Sequence, residues 1–310
     1  MLAELWEGSL ANPAQRIFWL YILSSALIAL IYTLYQMYRH PLSSQDKTLG
    51  QQLKAYLLHP SALLDYRYFF IGTLIKVGLV APLIISVKTI AIWVFKGLAP
   101  YIGTPITALS YEAIAILYTL CLFVVSDFSR YILHRWMHKN KYLWQFHKVH
   151  HSAPLLNPLT FYRVHPIENL LFGLRYAISV GIMTGVFLSL FGPRINMWTV
   201  LGANGFVFIF SLLGTHLRHS HLFVTYPKWL ERFFISPAMH QIHHYKGYGR
   251  YNYGGYLAIW DKLFHSWLPS KAISTKPSFG MPQQEMQKYQ SVSQLLFQPF
   301  RALIRLKRTS

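Results

Sequence analysis

The sequence predicts an all-α protein, a multi-pass transmembrane helical bundle with a histidine-rich helical cap on one side. Three observations predict it. Of the 310 residues, 53% are hydrophobic and 13% are charged, against roughly 25% charged in a soluble domain. The apolar residues gather into five stretches that approach the ~20 residues needed to cross a bilayer. Thirteen of the fifteen histidines follow residue 133. The single cysteine, Cys121, lies inside an apolar run, which excludes an intramolecular disulfide and every multi-cysteine zinc or iron–sulfur motif.

The first stretch is Phe18 to Tyr38, with no charge between Arg16 and Arg39. It is too long for a cleaved signal peptide and lacks a small-residue exit, so it reads as an anchor. Phe69 to Phe95 is interrupted by Lys76, Pro82 and Lys88, and is either one kinked span or a re-entrant pair. Thr107 to Val125 is the third stretch, with Glu112 near its outer end. Leu170 to Phe191 and Met197 to Gly214 are the fourth and fifth, divided by Gly192-Pro193-Arg194. Residues 270 to 293 are polar and read as a loose extension. Leu295, Leu296, Phe297, Phe300, Leu303, Ile304 and Leu306 then alternate with Arg301, Arg305, Lys307 and Arg308. That is the pattern of a basic amphipathic helix lying on a membrane, with Pro299 near its start or kinking it.

Charge sets the orientation. Twenty-nine Lys and Arg against ten Asp and Glu give +19. Ser126 to Glu168 holds six basic and two acidic residues, and 215 to the end holds thirteen and three, whereas 96 to 106 holds only Lys96. Positive loops face the cytoplasm. Five spans with an outside N-terminus satisfy this, and a hairpin in the second stretch would move the N-terminus inside. The histidines then fall on the cytoplasmic side. An anionic lipid surface explains the basic excess. Nucleic acid is not an expected partner, because no compact basic-aromatic module is visible.

The histidines form clusters. His134 and His138 have HxxxH spacing; His147, His150 and His151 have HxxHH spacing, as do His240, His243 and His244. At this histidine frequency HxxHH is expected roughly 0.04 times in such a chain, so two copies are not chance. On a helix, residues three and four apart share a face. In HxxHH the first histidine shares a face with both later ones, while the adjacent pair diverges by roughly 100°. One helix can therefore hand ligands to two neighbouring metals. Eight nitrogens are too many for one four-coordinate zinc, and His216 and His219, three apart, complete a set for two. Asp127, two helical turns before His134, is placed to orient a ligand through its other ring nitrogen. His40 and His59 precede prolines and receive no role, and His265 reads as structural.

Imidazole alone does not choose the metal. The paired carboxylates of soluble di-iron bundles, the HExxH motif, the Gly-rich phosphate loop and the nucleophile elbow are all missing from the sequence. No flavin or haem domain is visible either, so electrons for any redox work come from a separate protein.

The motifs HRWMH, LWQFHKVHHS, NPLTFYRVHPIE, LRHSH, SPAMHQIHHY and NYGGYLAIWDKLFHSW, from Asp127 to Trp267, resemble the fatty acid hydroxylase and sterol desaturase superfamily, most of all its bacterial members. The resemblance implies a membrane-embedded non-haem di-iron oxygenase. Such an enzyme uses two Fe ions and O2 to hydroxylate a lipid C–H bond, with desaturation or ether-lipid oxygenation as alternatives on the same site. Cytochrome b5 or a ferredoxin would supply the electrons. By motif, the implied ligands are His134, His138, His147, His150, His151, His219, His240, His243 and His244; His216 is added from helix spacing, and His221 lies off their face. Arg163, His165 and Glu168 fit the box between the second and third clusters and stand behind the ligands. Phe264-His265-Ser266 departs from the Phe-Gly-Thr often found there.

The expected organisation is a transmembrane anchor region at 1–106, a hydroxylase-like catalytic domain at 107–268, and a polar tail with a basic amphipathic segment at 269–310. The expected location is the inner membrane if bacterial, or the endoplasmic reticulum if eukaryotic. The rival classes are a histidine-rich metal transporter and a zinc-dependent membrane hydrolase. Transporters place polar ligands near the bilayer midplane, and these clusters fall outside the spans.

Overall fold

The computed structural model describes residues 10–39, 48–200, 203–274 and 278–309; His40 lies outside them. The chain is helical almost throughout. Its α-helices are α1 (Trp19–Arg39), α2 (Leu49–Leu57), α3 (Pro60–Ile75), α4 (Val87–Ile102), α5 (Tyr111–Lys139), α6 (Leu143–His151), α7 (Pro166–Phe191), α8 (Gly205–Leu212), α9 (Pro237–His244), α10 (Ile259–Leu263), α11 (Gln283–Met286) and α12 (Val292–Thr309). The only strands among the described residues are an antiparallel two-residue pair, Thr199–Val200 with Ala203–Asn204.

Among the described residues, four segments are helical, long and apolar enough to cross a membrane: Trp19–Arg39, Pro60–Ile102, Tyr111–Lys139 and Pro166–Arg194. The second is a single kinked path. After α3 the chain passes through a π turn (Lys76–Val80) and a 3-10 turn (Ala81–Leu83) before α4. Pro82 cannot donate a helical hydrogen bond there. The path then follows α7 in one direction. Ile84 packs where Gly173 lacks a side chain, Ile90 at Gly181, Val94 at Gly185 and Pro105 at Gly192. α3 has the same sense, since its Asp65 meets Arg163 just before α7 and Lys76 beyond it shares a cavity wall with Phe172 of α7; a re-entrant pair would run α3 and α4 in opposite senses. At Gly185 a Cβ would stand 2.7 Å from the Ala91 carbonyl oxygen, so only glycine lets these two backbones touch.

The expected fifth span is not a membrane-length helix. Within Met197–Gly214 only α8 is helical, and its eight residues reach ~12 Å, under half of the ~30 Å hydrocarbon core. Asn204 caps its start, accepting from the backbone of Phe206 and Val207, and Gly214 at φ 82 follows its end. The irregular part leans on α5 instead of lipid. The Trp198 amide donates to Thr119 Oγ1 at 2.7 Å, and Asn204 Nδ2 donates to the Thr119 carbonyl at 3.3 Å. Phe206 and Phe210 both pack on Phe123, with ring centroids 5.5 Å apart. Irregular backbone is tolerated at membrane depth when protein satisfies its polar groups.

The tail is also tighter than its composition predicts. The amide of Gly280 donates to the His244 carbonyl at 3.0 Å, and that of Lys246 to Ser278 at 3.0 Å. Met281, Tyr289 and Leu295 are buried with Leu64, Tyr68 and Val149. Residues 278–295 are therefore a strap over the cap, held by a few well-spaced apolar anchors that a polar average conceals. α12 docks by its first half and presents Phe297, Phe300 and Ile304 outward. Pro299 lies within it.

His265 sits just beyond the C-cap of α10 with φ 57. That left-handed conformation is the one glycine adopts freely after a helix, which explains the glycine expected at this turn. Replacing His265 with Gly should raise stability by about 1 kcal/mol, read as a higher thermal midpoint in detergent.

Candidate metal centre

Two groups of buried imidazoles form the core of the cap. His134, His138, His147, His151 and His243 make one group, and His150, His219, His240 and His244 the other. Within each, the possible ligand atoms lie within 4.8 Å of one another. The HxxHH spacing explains this division. α6 gives His147 and His151, one turn apart, to the first group and His150 to the second. α9 does the reverse, giving His240 and His244 to the second group and His243 to the first. The two helices thus interlock the groups, and the His151 and His244 rings stack at 4.5 Å between them.

The nitrogens are presented for a cation rather than for each other. His134 Nδ1 lies 2.8 Å from the Tyr253 carbonyl, which requires a proton on that nitrogen and leaves a lone pair on Nε2. His147 Nδ1 donates likewise to Glu168 Oε1 at 2.9 Å. The two Nε2 lone pairs then face each other at 3.1 Å, an arrangement that repels without a positive ion between them. His243 repeats it, with Nδ1 2.7 Å from the Tyr251 carbonyl and a buried, unpartnered Nε2. In the second group, His219 Nε2 is 3.2 Å from the Nε2 atoms of His150, His240 and His244. Nitrogens so spaced surround a point roughly 2.0 Å from each, the length of an imidazole–metal bond. Burial holds the rings neutral: His147 and His150 are pushed down to about 3, and His151, His219, His240, His243 and His244 fall well below the ordinary histidine value. Neutral imidazole is the ligating form. The two groups therefore fit metal ions.

The remaining candidates occupy different places. Glu168 Oε1 meets His147 Nδ1 at 2.9 Å and so holds that ring. Asp127 does not orient His134. Its carboxylate accepts from the amides of Tyr256 (2.8 Å) and Leu257 (3.0 Å) and from Trp260 Nε1 (3.0 Å), because the loop after α9 folds back over α5 and leaves the His134 nitrogen to Tyr253. His216 joins neither group. α8 has ended by then, the chain passes Gly214 into a 3-10 turn at Thr215–His219, and the His216 ring bonds the backbone of Arg16. His221 is also outside, with its ring 4.3 Å from Tyr56. His165 is a helix cap, its Nδ1 accepting from the Ile167 amide at 3.1 Å and its Nε2 donating to the Leu296 carbonyl at 3.0 Å. Its ring touches Phe146 and Phe300 rather than a ligand.

Arg163 acts through a partner that the sequence reading missed. Its Nε meets Asp65 Oδ1 at 2.5 Å, and its Nη2 donates to the Ser61 carbonyl and hydroxyl, each at 2.9 Å. Asp65 also accepts from Asn157 Nδ2 at 2.6 Å and Thr160 Oγ1 at 2.7 Å. The box between the second and third clusters is thus locked to α3. Asp261 was missed as well. It accepts from the amides of Tyr253 (2.9 Å) and Gly254 (2.8 Å), fixing the loop whose Tyr251 and Tyr253 carbonyls aim two ligands. Burial pushes its carboxyl up to about 7.

The fold and the paired histidine groups define a helical membrane protein with a metal-binding cap. The fatty acid hydroxylase family model matches residues 119–266, and through this region, just under half of the chain, the protein is similar to that family. It is 28% identical over 159 residues to the very-long-chain aldehyde decarbonylase GL1-9 of Oryza sativa subsp. indica, covering 51% of this chain and 57% of that one. It is 32% identical over 158 residues to the ornithine lipid hydroxylase OlsE of Rhizobium tropici, covering 49% and 42%. It is 28% identical over 166 residues to the Delta(7)-sterol 5(6)-desaturase of Eremothecium gossypii, covering 53% and 40%. The matches span about half the length of these curated relatives. No solved structure matches.

Two measurements test the site. Metal analysis of His219→Ala should show one ion fewer per chain than the parent, whereas His216→Ala should keep the full content. Asp65→Ala strands the Arg163 guanidinium among neutral partners and should cost about 3–5 kcal/mol of stability, visible as a large fall in thermal midpoint.

Proposed function

We propose that the protein is a membrane-bound non-haem di-iron oxygenase that hydroxylates a lipid C–H bond. The observation that supports this best is a cavity of about 260 Å³ lined by His134 and His147 of the first group and by His150, His219 and His240 of the second. A molecule in it would face both metals at once. Two Fe ions held by His134, His138, His147, His151 and His243, and by His150, His219, His240 and His244, would supply O2 reduction there. The balance is one C–H bond, O2, two electrons and two protons giving C–OH and water. The electrons come from a separate donor such as cytochrome b5 or a ferredoxin.

The chain's own groups prepare the site. Glu168 and the carbonyls of Tyr251 and Tyr253 fix three imidazoles in the tautomer that presents Nε2. Trp144 covers the outer side of the first group, its ring 4.9 Å from His138 and 5.5 Å from His151, which limits water entry. The basic loops favour placing this face in the cytoplasm.

Cells with and without the protein should differ by one oxygen in one lipid class, and His147→Ala should erase that difference. Loss of two hydrogens instead would make it a desaturase on the same site. An unchanged lipid profile, with metal uptake or hydrolysis in its place, would overturn the oxygenase reading.

A further inference from the structure

The cavity that reaches the histidines is strongly cationic. Arg16, Lys76, Arg130, Arg175 and Arg218 line it, and Glu168 is its sole lining acid. One carboxylate cannot balance five cations, and its Oε1 already accepts from His147. No ion pair joins these cations to an acid among the described residues; Asp127 acts on Arg175 and Arg218 only from farther off. Arg175 donates to the Ser126 carbonyl (2.7 Å) and the Ser129 hydroxyl (3.0 Å), and Arg218 to the carbonyls of Gly255 and Ile235. Each keeps a buried Nε with no partner. Arg16 lies 3.7 Å over the Phe161 ring. Burial, reinforced by Arg130 and Arg218, pulls its guanidinium down to about 9, the direction expected of a cation lacking a counter-ion.

Geometry places this charge beside the reacting centre. Arg130 and His134 are one turn apart on α5, a rise of ~6 Å, and both face the cavity. On the wall made by α7, Glu168 and Arg175 also lie on one helical face. Apolar Phe69, Phe161 and Phe172 complete the walls. Guanidinium groups are suited to bidentate capture of phosphate or carboxylate, and a desolvated cluster of them is costly unless an anion is bound.

We infer that the lipid acted on carries an anionic phosphate or carboxylate headgroup, which sits inside the catalytic cavity among Arg130, Arg16, Arg175 and Arg218. The attacked carbon then lies within a few bonds of that headgroup, and the distal chain stays in the membrane. This rests on the oxygenase reading for its chemistry, but its test does not.

The metal-loaded protein in a neutral detergent is titrated with dioctanoyl phosphatidic acid, octanoate, dioctanoyl phosphatidylcholine and dioctanoylglycerol, with intrinsic tryptophan fluorescence and thermal midpoint as readouts. Phosphatidic acid or octanoate should bind at least tenfold more tightly than dioctanoylglycerol, and whichever is tighter names the anion. Arg130→Gln should remove that preference with metal content unchanged, and Arg130→Lys should restore part of it. Gly72→Leu is an independent check. Gly72 lines the cavity and a Cβ there meets only Tyr68 of its own helix, at 3.5 Å; filling this space should weaken every ligand without altering charge preference. Equal affinity for the neutral and anionic lipids, or an unchanged preference in Arg130→Gln, would overturn the inference. Anion-selective binding by a protein without O2-dependent activity would instead count against the oxygenase reading alone.

Discussion

Lone pairs of nine imidazoles, seven of them buried and His138 and His240 half-buried, crowded into two small volumes, are the constraint around which the cap is built. Neutral rings this close do not attract one another: where both partners have their proton on Nδ1, as His134 and His147 do, the facing Nε2 atoms repel. The fold must therefore hold them against that repulsion until a cation arrives. It does so from behind, through the Tyr251 and Tyr253 carbonyls and Glu168. Such partners fix the orientation of a ligating ring and raise its basicity.

The same constraint explains why acids are scarce and where they are used. Of ten Asp and Glu, Asp65, Asp127, Glu168, Glu231 and Asp261 are buried. Each clamps a structural element from within. Asp65 ties the Arg163 box to α3, while Asp127 and Asp261 pin the loop that supplies the Tyr251 and Tyr253 carbonyls. Glu231 accepts from Ser236 Oγ at 2.7 Å and from the Ser270 amide at 3.1 Å, joining the start of α9 to the 3-10 turn at Ser270–Ala272. Only Glu168 among them lines the cavity, against five cations, so the cavity keeps its positive character.

The ligand set was legible because its information is local. HxxxH and HxxHH fix relative direction once a helix forms, and the division of α6 and α9 between two groups follows from their 3.6-residue turn. His216 was misread because the same rule was applied past α8, where Gly214 and a 3-10 turn reset the direction. Asp127 was misread because its partners, Tyr256, Leu257 and Trp260, come from some 130 residues away. Asp65 gave no motif signal at all. Its one sequence clue was an acid at the head of an apolar stretch in a chain with few acids. The kinked path of α3 and α4 lay in side-chain packing against Gly173, Gly181 and Gly185, which hydropathy does not record.

These features bear together on how a lipid meets the metals. α3 and α7 both run from the cap toward the far side of the bundle; the second half of α3 and the turn after it wall the cavity with Phe69 and Lys76, and the first half of α7 with Phe172 and Arg175. The Asp65–Arg163 lock holds α3, and the Glu168–His147 bond ties α7 to the first histidine group. The walls of the cavity and the histidine groups are therefore parts of one hydrogen-bonded frame. A displaced wall displaces a ligand, so changes in substrate preference on this frame are confined to side chains that line the cavity without bracing it, of which Gly72 and Phe172 are the clearest examples.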